Sequence, residues 1–475
     1  MRLRLDATVE IGMIWLPFLG INVFDKRTGQ FKNAALSDDA AMSHTLKEDH
    51  YMKKVLTTAS LVLVGAASAQ AQYGPSLSPQ QSGKNWSVSA SLRGFYDDNF
   101  TTSPTSTESY GIEVAPSVDY NVALDTTFVG LSYRYGYRYF EEAGRADQSH
   151  QVNATISQAI SSRLRLDVNN AFAVAQEPEI IEGAGLLSTL RRTDGDNISN
   201  RLDVNFTATL SDQLGAVVGY SNRYLDYDQE AGDTANGIPV TFNSRSALLD
   251  RTVHTFKTDL RWQYLPQTVG IVGYQYHMVN YNADGTDLIG SVFGALSSSS
   301  RDNDAHYVYA GVDQNFNQQL NGQVRVGARM TDFDNPASSD ANSPYVKANL
   351  SYTYNPGSFL QAGVIHDRNS TDVSAFSAGN PTLDQVSTIA YGSVTHRITA
   401  KLSASLIGQA QFAKFNGGGV DGAKEEIYIV GLNATYQISP WIAAEAGYNF
   451  DELSSDLVNR GFDRNRLYIG LRATY

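Results

Sequence analysis

Apolar and polar residues alternate along most of this chain, from residue 86 to the C-terminus. The final run is the clearest, because Leu467, Ile469, Leu471, Ala473 and Tyr475 occupy every second position and mostly polar residues stand between them. Successive side chains of a β-strand point to opposite faces, so each such run forms a strand with one apolar and one polar face. The pattern therefore predicts an all-β chain.

Eighteen runs of this kind follow one another along the chain. They span residues 86–96, 109–120, 127–139, 148–158, 164–174, 197–210, 214–225, 251–264, 268–280, 303–316, 320–333, 343–354, 358–366, 385–396, 401–413, 424–437, 441–451 and 462–475. Short connections such as 211–213 alternate with long polar ones such as 175–196, 226–250 and 281–302. Short periplasmic turns, long outer loops and an even strand number are typical of outer-membrane barrels. We therefore predict a transmembrane antiparallel β-barrel over residues 86–475, with its polar face towards the lumen and its apolar face towards lipid.

A secretory signal peptide is predicted over residues 52–71. Met52 precedes two lysines and an apolar stretch, and Ala69 and Ala71 are the small residues that a signal peptidase reads. Residues 72–85 would then form a short periplasmic segment. Residues 1–51 are interpreted as an upstream start-site artefact, and a long-leader precursor is the alternative. A signal peptide ahead of a barrel predicts the outer membrane of a Gram-negative bacterium.

Composition narrows the remaining classes of protein. The chain has 0 Cys, which excludes disulfides and thiolate metal sites. It has no apolar run of about 18 residues or more, which argues against a helical membrane protein. From residue 72 onwards the chain carries 28 Lys and Arg against 42 Asp and Glu, a net charge of −14. Such an acidic balance argues against a nucleic-acid partner.

Two groups of residues point to the membrane surroundings and to assembly. Trp86, Trp262 and Trp441 all fall near the predicted periplasmic side, where indole rings prefer the membrane interface. Scattered packing tryptophans are the alternative. The alternating Leu471, Ala473 and terminal Tyr475 resemble the signal that the barrel-assembly machinery reads. Outer-membrane lipid and this machinery are therefore the expected partners.

The polar faces of the predicted strands carry the candidate pore-lining charges. Twelve are basic, namely Arg93, Arg134, Arg138, Arg165, Arg201, Lys257, Arg261, Arg325, Arg329, Lys347, Arg466 and Arg472. Seven are acidic, namely Glu113, Asp119, Asp167, Asp203, Asp259, Asp313 and Glu445. The predicted wall is thus net +5, while the rest of the chain from residue 72 is net −19. A charged wall selects the sign of permeant solutes, although the same groups can pair across strands and only stiffen the barrel.

Other candidate chemistry is sparse. Tyr307, Tyr309 and Tyr345 face inward on nearby predicted strands and could stack on sugar rings, with plain wall packing as the alternative. The common hydrolytic and nucleotide-binding motifs are absent. His277 and His366 are the histidines near a predicted outer rim with carboxylates within reach. The acidic stretch 226–233 lacks the Gly and the terminal Glu of a calcium loop. We therefore expect no catalytic residue, no metal site and no cofactor.

Several short motifs carry a resemblance to a known family. The first predicted strand ends in Gly-Phe-Tyr-Asp-Asp-Asn-Phe at 94–100, and Asp-Arg-Thr-Val-His opens another at 250–254. Tyr-Leu-Pro-Gln-Thr occupies a turn at 264–268, and His-Asp-Arg-Asn closes a strand at 366–369. The chain resembles a β-barrel porin family from bacterial exopolysaccharide loci. This resemblance implies an integral outer-membrane barrel that gives a polymer an exit route, and it supplies no catalytic residues.

The function predicted from the sequence is a porin-like channel for passive diffusion or polysaccharide exit. A periplasmic polysaccharide-export protein is a further expected partner in an export setting. One alternative is an outer-membrane enzyme with an active site on the rim, which requires an inward cluster of Ser, His and acid. Another is a surface adhesin or anchor, whose loops would fill the lumen. A soluble all-β domain is opposed by the signal peptide and the terminal Tyr475.

Overall fold

The computed structural model describes residues 85–475 except 176–195, 232, 236–237, 240–241, 283–286, 292–293, 337, 376 and 378–379. The predicted segments 1–51 and 52–71, with the cleavage-site residues Ala69 and Ala71, lie outside the described residues, as does nearly all of 72–85. Within the described part, no helix is long and apolar enough to cross a membrane.

Eighteen antiparallel strands form one closed sheet, in which each strand pairs with its neighbours in chain order and the first pairs with the last. The barrel strands are β1 Trp86–Asp97, β2 Ser109–Ala123, β3 Thr127–Phe140, β4 Arg145–Ala159, β5 Leu164–Ala175, β6 Asn197–Thr209, β7 Leu214–Tyr227, β10 Arg251–Leu265, β11 Thr268–Tyr281, β14 Asn303–Asn315, β15 Leu320–Phe333, β16 Ala341–Asn355, β17 Ser358–Asn369, β18 Asp384–Arg397, β19 Leu402–Asn416, β20 Lys424–Ser439, β21 Ile442–Ser455 and β22 Phe462–Thr474. The predicted 18-stranded antiparallel barrel is confirmed.

The remaining elements belong to the long loops at the end of the barrel opposite the termini. Strands β8 Thr234–Ala235 and β9 Ile238–Pro239 form one small hairpin, and β12 Leu288–Ser291 and β13 Gly294–Ser297 form another. Helix α1 spans Arg245–Leu249, and 3-10 turns span Ser298–Arg301 and Gly418–Val420. These loops therefore contain local structure of their own.

Most of the larger differences from the predicted strand bounds occur at the loop-bearing end. Strand β4 begins at Arg145 and not at residue 148, β17 continues to Asn369 and not to 366, and β21 continues to Ser455 and not to 451. The hydrogen-bonded ladder outlasts the apolar alternation at these ends, because side chains beyond the apolar band are polar on both faces. Strand ends predicted from the hydropathy pattern alone therefore fall too early.

The two faces of the sheet differ in exposure and in chemistry. In β15, Val324 and Val326 are 46% and 54% exposed on the outer face, whereas the inward Arg329 is only 4% exposed. Leu467, Ile469 and Leu471 of β22 are likewise exposed on the outer face. This apolar outer surface is the one that contacts lipid in a membrane barrel.

The barrel closes at a seam between β1 and β22, next to the C-terminus. The backbone N–H of Tyr475 donates to the carbonyl of Val88 at 2.8 Å, and the N–H of Val88 donates to the carbonyl of Tyr475 at 3.0 Å. The Tyr475 ring lies between Trp86 and Trp441, with both ring centroids 5.5 Å away. Trp86, Trp262 and Trp441 are all about half exposed, at the turn-bearing end of the barrel.

We expect Val326→Arg to impair folding into lipid vesicles much more than Arg325→Val does. Val326 lies near the middle of β15 on the outer face, where an arginine costs about 2–4 kcal/mol. Arg325 faces the lumen and pairs with Asp313 at 2.6 Å, and Asp313 keeps Arg261 at 2.7 Å when Arg325 is lost. Folded yield, measured by heat-modifiable electrophoretic mobility, checks this. Equal yields for the two variants would contradict the inward assignment of Arg325.

Candidate functional site

The strand registers place all nineteen of the predicted pore-lining charges on the inward face of the sheet. They also place Asp97, Asp147 and Asp367 there, which the sequence pattern does not identify. Each of these three acids lies just beyond the predicted end of its strand, where the apolar alternation has already stopped. The apolar alternation gives no signal at these positions, and only the hydrogen-bonded ladder of the structure shows that the strands extend past the apolar band.

On one side of the lumen, charges pair across five neighbouring strands. Arg93 on β1 contacts Glu113 on β2 at 3.1 Å and Glu445 on β21 at 2.7 Å. Arg138 on β3 contacts Glu113 at 3.0 Å, and Arg472 on β22 contacts Glu445 at 2.9 Å. All these side chains are largely buried, so this network joins the first and last hairpins across the seam. Pairing that stiffens the wall is therefore a real role of these charges.

Arg134 lies next to this network but does not join it. It helps to line a small recess together with Arg93, Glu113, Arg466 and Tyr468. Within the described residues no carboxylate oxygen lies within 4.0 Å of its guanidinium, although Glu113 interacts with it at longer range. This recess therefore presents a basic group whose charge is only partly balanced.

Elsewhere on the wall, ion pairs form between residues of the same strand. Arg165 pairs with Asp167 at 2.8 Å, Arg201 with Asp203 at 2.8 Å, and Lys257 with Asp259 at 3.0 Å. Each pair joins residues two positions apart on one strand, so both partners face the lumen. These cations are thus neutralised locally.

The three inward tyrosines pack against one another on the wall. Tyr345 contacts the rings of Tyr307 and Tyr309 at centroid distances of 5.2 and 5.7 Å, and all three are less than 9% exposed. Gly273 lies opposite Tyr309 in the ladder, and a Cβ there would come within 2.3 Å of the tyrosine ring. This glycine lets Tyr309 lie flat and donate its hydroxyl to Asp259. The geometry thus matches wall packing, and it leaves little ring surface for a sugar.

The two candidate histidines do not form a catalytic cluster. His277 faces the lumen, where its Nδ1 lies 2.9 Å from the hydroxyl oxygen of Thr255. His366 lies at an outward position of β17, with its Nδ1 2.8 Å from the hydroxyl oxygen of Thr388. Neither imidazole bonds a carboxylate in the described structure, and no group of acids and histidines there has the arrangement of a metal site. These contacts support a structural role for both histidines.

Long loops fold inward over the end of the barrel opposite the termini. Loop L4, residues 228–250, places helix α1 against the inward side chains of Leu225 and Tyr227. Ile289, from loop L5 (residues 282–302), packs on the same cluster and is fully buried. Since Leu225 and Tyr227 face the lumen, the helix lies inside the ring of strands. Loop residues thus enter the lumen, which the alternation pattern does not predict.

One aspartate links loops from distant parts of the ring. Asp372, in loop L7 (residues 370–383), contacts Arg460 of loop L9 (residues 456–461) at 2.6 Å. It also lies 3.8 Å from Arg245 of L4, and its side chain is 0% exposed. L4 and L9 are eight strands apart by the shorter way round the eighteen-stranded ring, so these contacts reach across the mouth. Loops L4, L5, L7 and L9 together are called the cap below.

Arg301 completes the cap. It is 0% exposed, donates to the carbonyl of Thr371 at 3.1 Å and to the carbonyl of Leu248, and stacks over the ring of Tyr281. One guanidinium thereby joins L5 to both L7 and L4. The carbonyls that it bonds would otherwise be buried acceptors without a donor, which is costly. Arginine side chains thus join L7 to L4, L5 and L9, whereas Asn243, Asp287 and Ile289 join L4 to L5.

The cap is expected to pack more tightly at pH 5 than at pH 7.5. Burial raises the pKa of Asp250 to about 6, although its carboxylate accepts bonds from Ser246 and from the N–H of Tyr227. Burial also raises the pKa of Asp302 to about 6. Because both pKa values are raised in the packed loops, protonation favours the packed form, and its stability increases as the pH falls through about 6.

Hydrogen exchange of the L4 and L5 amides, measured at both pH values and corrected for the intrinsic rates, checks this. The double variant Asp250→Asn with Asp302→Asn removes both titrating groups and should show little dependence on pH. An unchanged dependence in that variant would assign the effect to other groups.

Comparisons with known proteins extend these observations. A family model described as "Putative beta-barrel porin 2" matches residues 87–475, whereas no curated protein matches the sequence. Among solved structures, OccAB4 of Acinetobacter baumannii is 13% identical with a TM-score of 0.39, and the match covers 82% of this chain and 99% of that one. OccK2 (OpdF) of Pseudomonas aeruginosa, solved in complex with glucuronate, is 10% identical with a TM-score of 0.41, covering 82% and 98%. Structural similarity at this level says nothing about function.

The family match covers the whole barrel, from the first residues of β1 to the terminal Tyr475. It agrees with the closed sheet, the apolar outer face and the charged lumen described above. The chain therefore belongs to the family "Putative beta-barrel porin 2", and it is a porin-like β-barrel of the Gram-negative outer membrane.

Proposed function

We propose that this protein is an outer-membrane channel that prefers anionic solutes and that, in an export setting, gives an acidic polysaccharide an exit route. The observation that carries the proposal is the presence of lumenal cations that no carboxylate contacts within the described structure. Lys347 and Arg134 both face the lumen without a carboxylate within 4.0 Å in the described structure. In a lumen with low-dielectric walls, such charges attract anions and repel cations.

The register of the sheet also supports a preference for anions. Arg325 and Lys347 are directly opposite each other on β15 and β16. Like charges in these positions repel and destabilise the sheet. Their presence on the inward face is easier to understand if the lumen holds anions at least part of the time.

We also propose partners for the two ends of the channel's life, its assembly and its supply with polymer. An acidic polymer would reach the barrel from the periplasmic end, so a periplasmic polysaccharide-export protein is the proposed donor. The barrel-assembly machinery is the proposed reader of the terminal Leu471, Ala473 and Tyr475. No catalytic step is proposed, because the contacts of His277 and His366 give no basis for one.

Reversal potentials in planar bilayers test the proposal. With the purified protein in a KCl gradient around 0.1 M, chloride should permeate more readily than potassium. The preference should weaken at 1 M salt, because the Debye length falls from about 10 Å at 0.1 M to about 3 Å. The outer loops are acidic and act in the opposite direction, so the sign does not follow from composition alone. A cation-selective pore at low salt would overturn the proposal.

The cap favours a second candidate, a surface adhesin or anchor whose lumen stays closed. The observation that supports this second function is the set of arginine contacts that joins L4, L5, L7 and L9 across the mouth. Conductance separates the two functions. A protein that remains silent even after its cap has been weakened would support the surface role, whereas current through the weakened cap would support the channel.

A further inference from the structure

Lys347 occupies an unusual electrostatic position in the middle of the barrel. Its neighbour across one strand boundary is Arg325, and its neighbour across the other is Ile365. Neither neighbour can accept a hydrogen bond from an ammonium group through its side chain. The inward residue before it on β16 is Tyr345, whose hydroxyl lies in the packed tyrosine cluster. The ammonium group is therefore bordered by a like charge on one side and by apolar surface on the other.

Two carboxylates on this part of the wall, Asp313 and Asp367, already have partners. Asp313 is shared between Arg325 at 2.6 Å and Arg261 at 2.7 Å. Asp367, on the neighbouring strand β17, contacts Arg329 at 3.4 Å and accepts the Tyr307 hydroxyl at 3.2 Å. Each of these carboxylates thus has two partners of its own. The ammonium group makes no hydrogen bond within the described structure.

The other charged groups around Lys347 are cations. Arg325, Lys257 and Arg201 all interact with it electrostatically, and they come from strands β15, β10 and β6. Lys257 and Arg201 each have a carboxylate partner two positions along their own strand, but their charges still add to the local field. Several strands therefore bring cations to one region of the lumen, and Lys347 is the one among them that no carboxylate contacts in the described structure.

We propose that Lys347, with Arg325, Lys257 and Arg201, forms a binding site in the lumen for the carboxylate of an acidic sugar. The ammonium group supplies three donors for the carboxylate oxygens. A bound carboxylate would also offset the repulsion between Lys347 and Arg325. The proposal rests on the anion-conducting function and assigns it a solute class and a site.

Equilibrium binding to the purified full-length protein in detergent tests the site without depending on conductance. Glucuronate is the probe, and glucose is the neutral control with the same ring. The wild-type protein should bind glucuronate, bind glucose at least tenfold more weakly, and bind acetate with intermediate affinity. The Lys347→Gln variant should lose at least tenfold in glucuronate affinity. Lys401→Gln, in an exposed turn between β18 and β19, is the matched control and should bind as the wild type does.

The outcomes separate the site from the general function. Unchanged glucuronate binding in Lys347→Gln, or equal binding of glucose and glucuronate, would overturn the site. A pore that is anion-selective by reversal potential but shows no glucuronate binding would refute the site and leave the proposed function standing. A cation-selective pore that binds glucuronate only when Lys347 is present would refute the proposed function and leave the site standing. Heat-modifiable mobility of each variant confirms that the barrel is folded before binding is compared.

Discussion

Replacing Asp372 with asparagine is expected to open the cap and to raise the mean current through the barrel several-fold. The carboxylate of Asp372 is 0% exposed and pairs with Arg460 at 2.6 Å while lying 3.8 Å from Arg245. Asparagine has nearly the same shape but carries no charge, so it leaves the guanidiniums of L9 and L4 with less compensation. Loss of one partner from a buried ion pair costs about 3–5 kcal/mol.

The effect should fall at the lower end of this range, since Arg460 also contacts Glu425 at the top of β20. Even about 3 kcal/mol changes the ratio of closed to open cap by roughly a hundredfold, because each 1.4 kcal/mol is a factor of ten. The barrel itself should remain folded, since none of these contacts belongs to the strand ladders. Single-channel recordings in planar bilayers provide the measurement.

Asp421→Asn is the matched control for this experiment. Asp421 is also a loop aspartate, but its carboxylate accepts a bond from the nearby N–H of Gly417 and reaches no other loop. This variant should conduct as the wild type does. If both variants gave wild-type currents, the contacts at Asp372 would not be what keeps the mouth closed. If both raised the current equally, the effect would come from loop charge in general.

Deletion of Tyr475 is expected to abolish accumulation of the folded barrel in the outer membrane. The residue contributes two backbone hydrogen bonds to Val88 at the seam, at 2.8 and 3.0 Å. Its ring also fills the space between Trp86 and Trp441 at the periplasmic interface. The deletion therefore removes the aromatic residue that ends the assembly signal and, at the same time, weakens the β1–β22 closure.

Heat-modifiable protein in outer-membrane fractions is the measurement, and the expected level is below one tenth of the wild type. Tyr475→Phe is the control, because it keeps the ring and both backbone bonds and should accumulate normally. Normal levels of the deletion variant would show that neither the terminal ring nor the last ladder bonds are needed. Loss of both variants would point to the hydroxyl group of Tyr475.

The sequence by itself determined the membrane barrel, its strand number and the inward face of each strand. The reason is that these properties are local. A period of two assigns each side chain to a face, and the alternation of short turns and long loops sets the topology. The inward position of Arg325 and the outward position of Val326 follow directly from this rule. The predicted bounds differed from the structure mainly where side chains stop facing lipid, as at Arg145 and Asn369.

Only the tertiary structure decided which charges are neutralised and which loops meet across the mouth of the barrel. Arg93 and Glu445 are 352 positions apart and meet because the barrel closes. Asp372 meets Arg460 and Arg245 because three loops fold over one mouth. Such contacts follow no periodic pattern, because loops have no repeating relation between position and direction. Lys347 looks like any other lumenal cation until the closed ring shows that no carboxylate of the described structure contacts it.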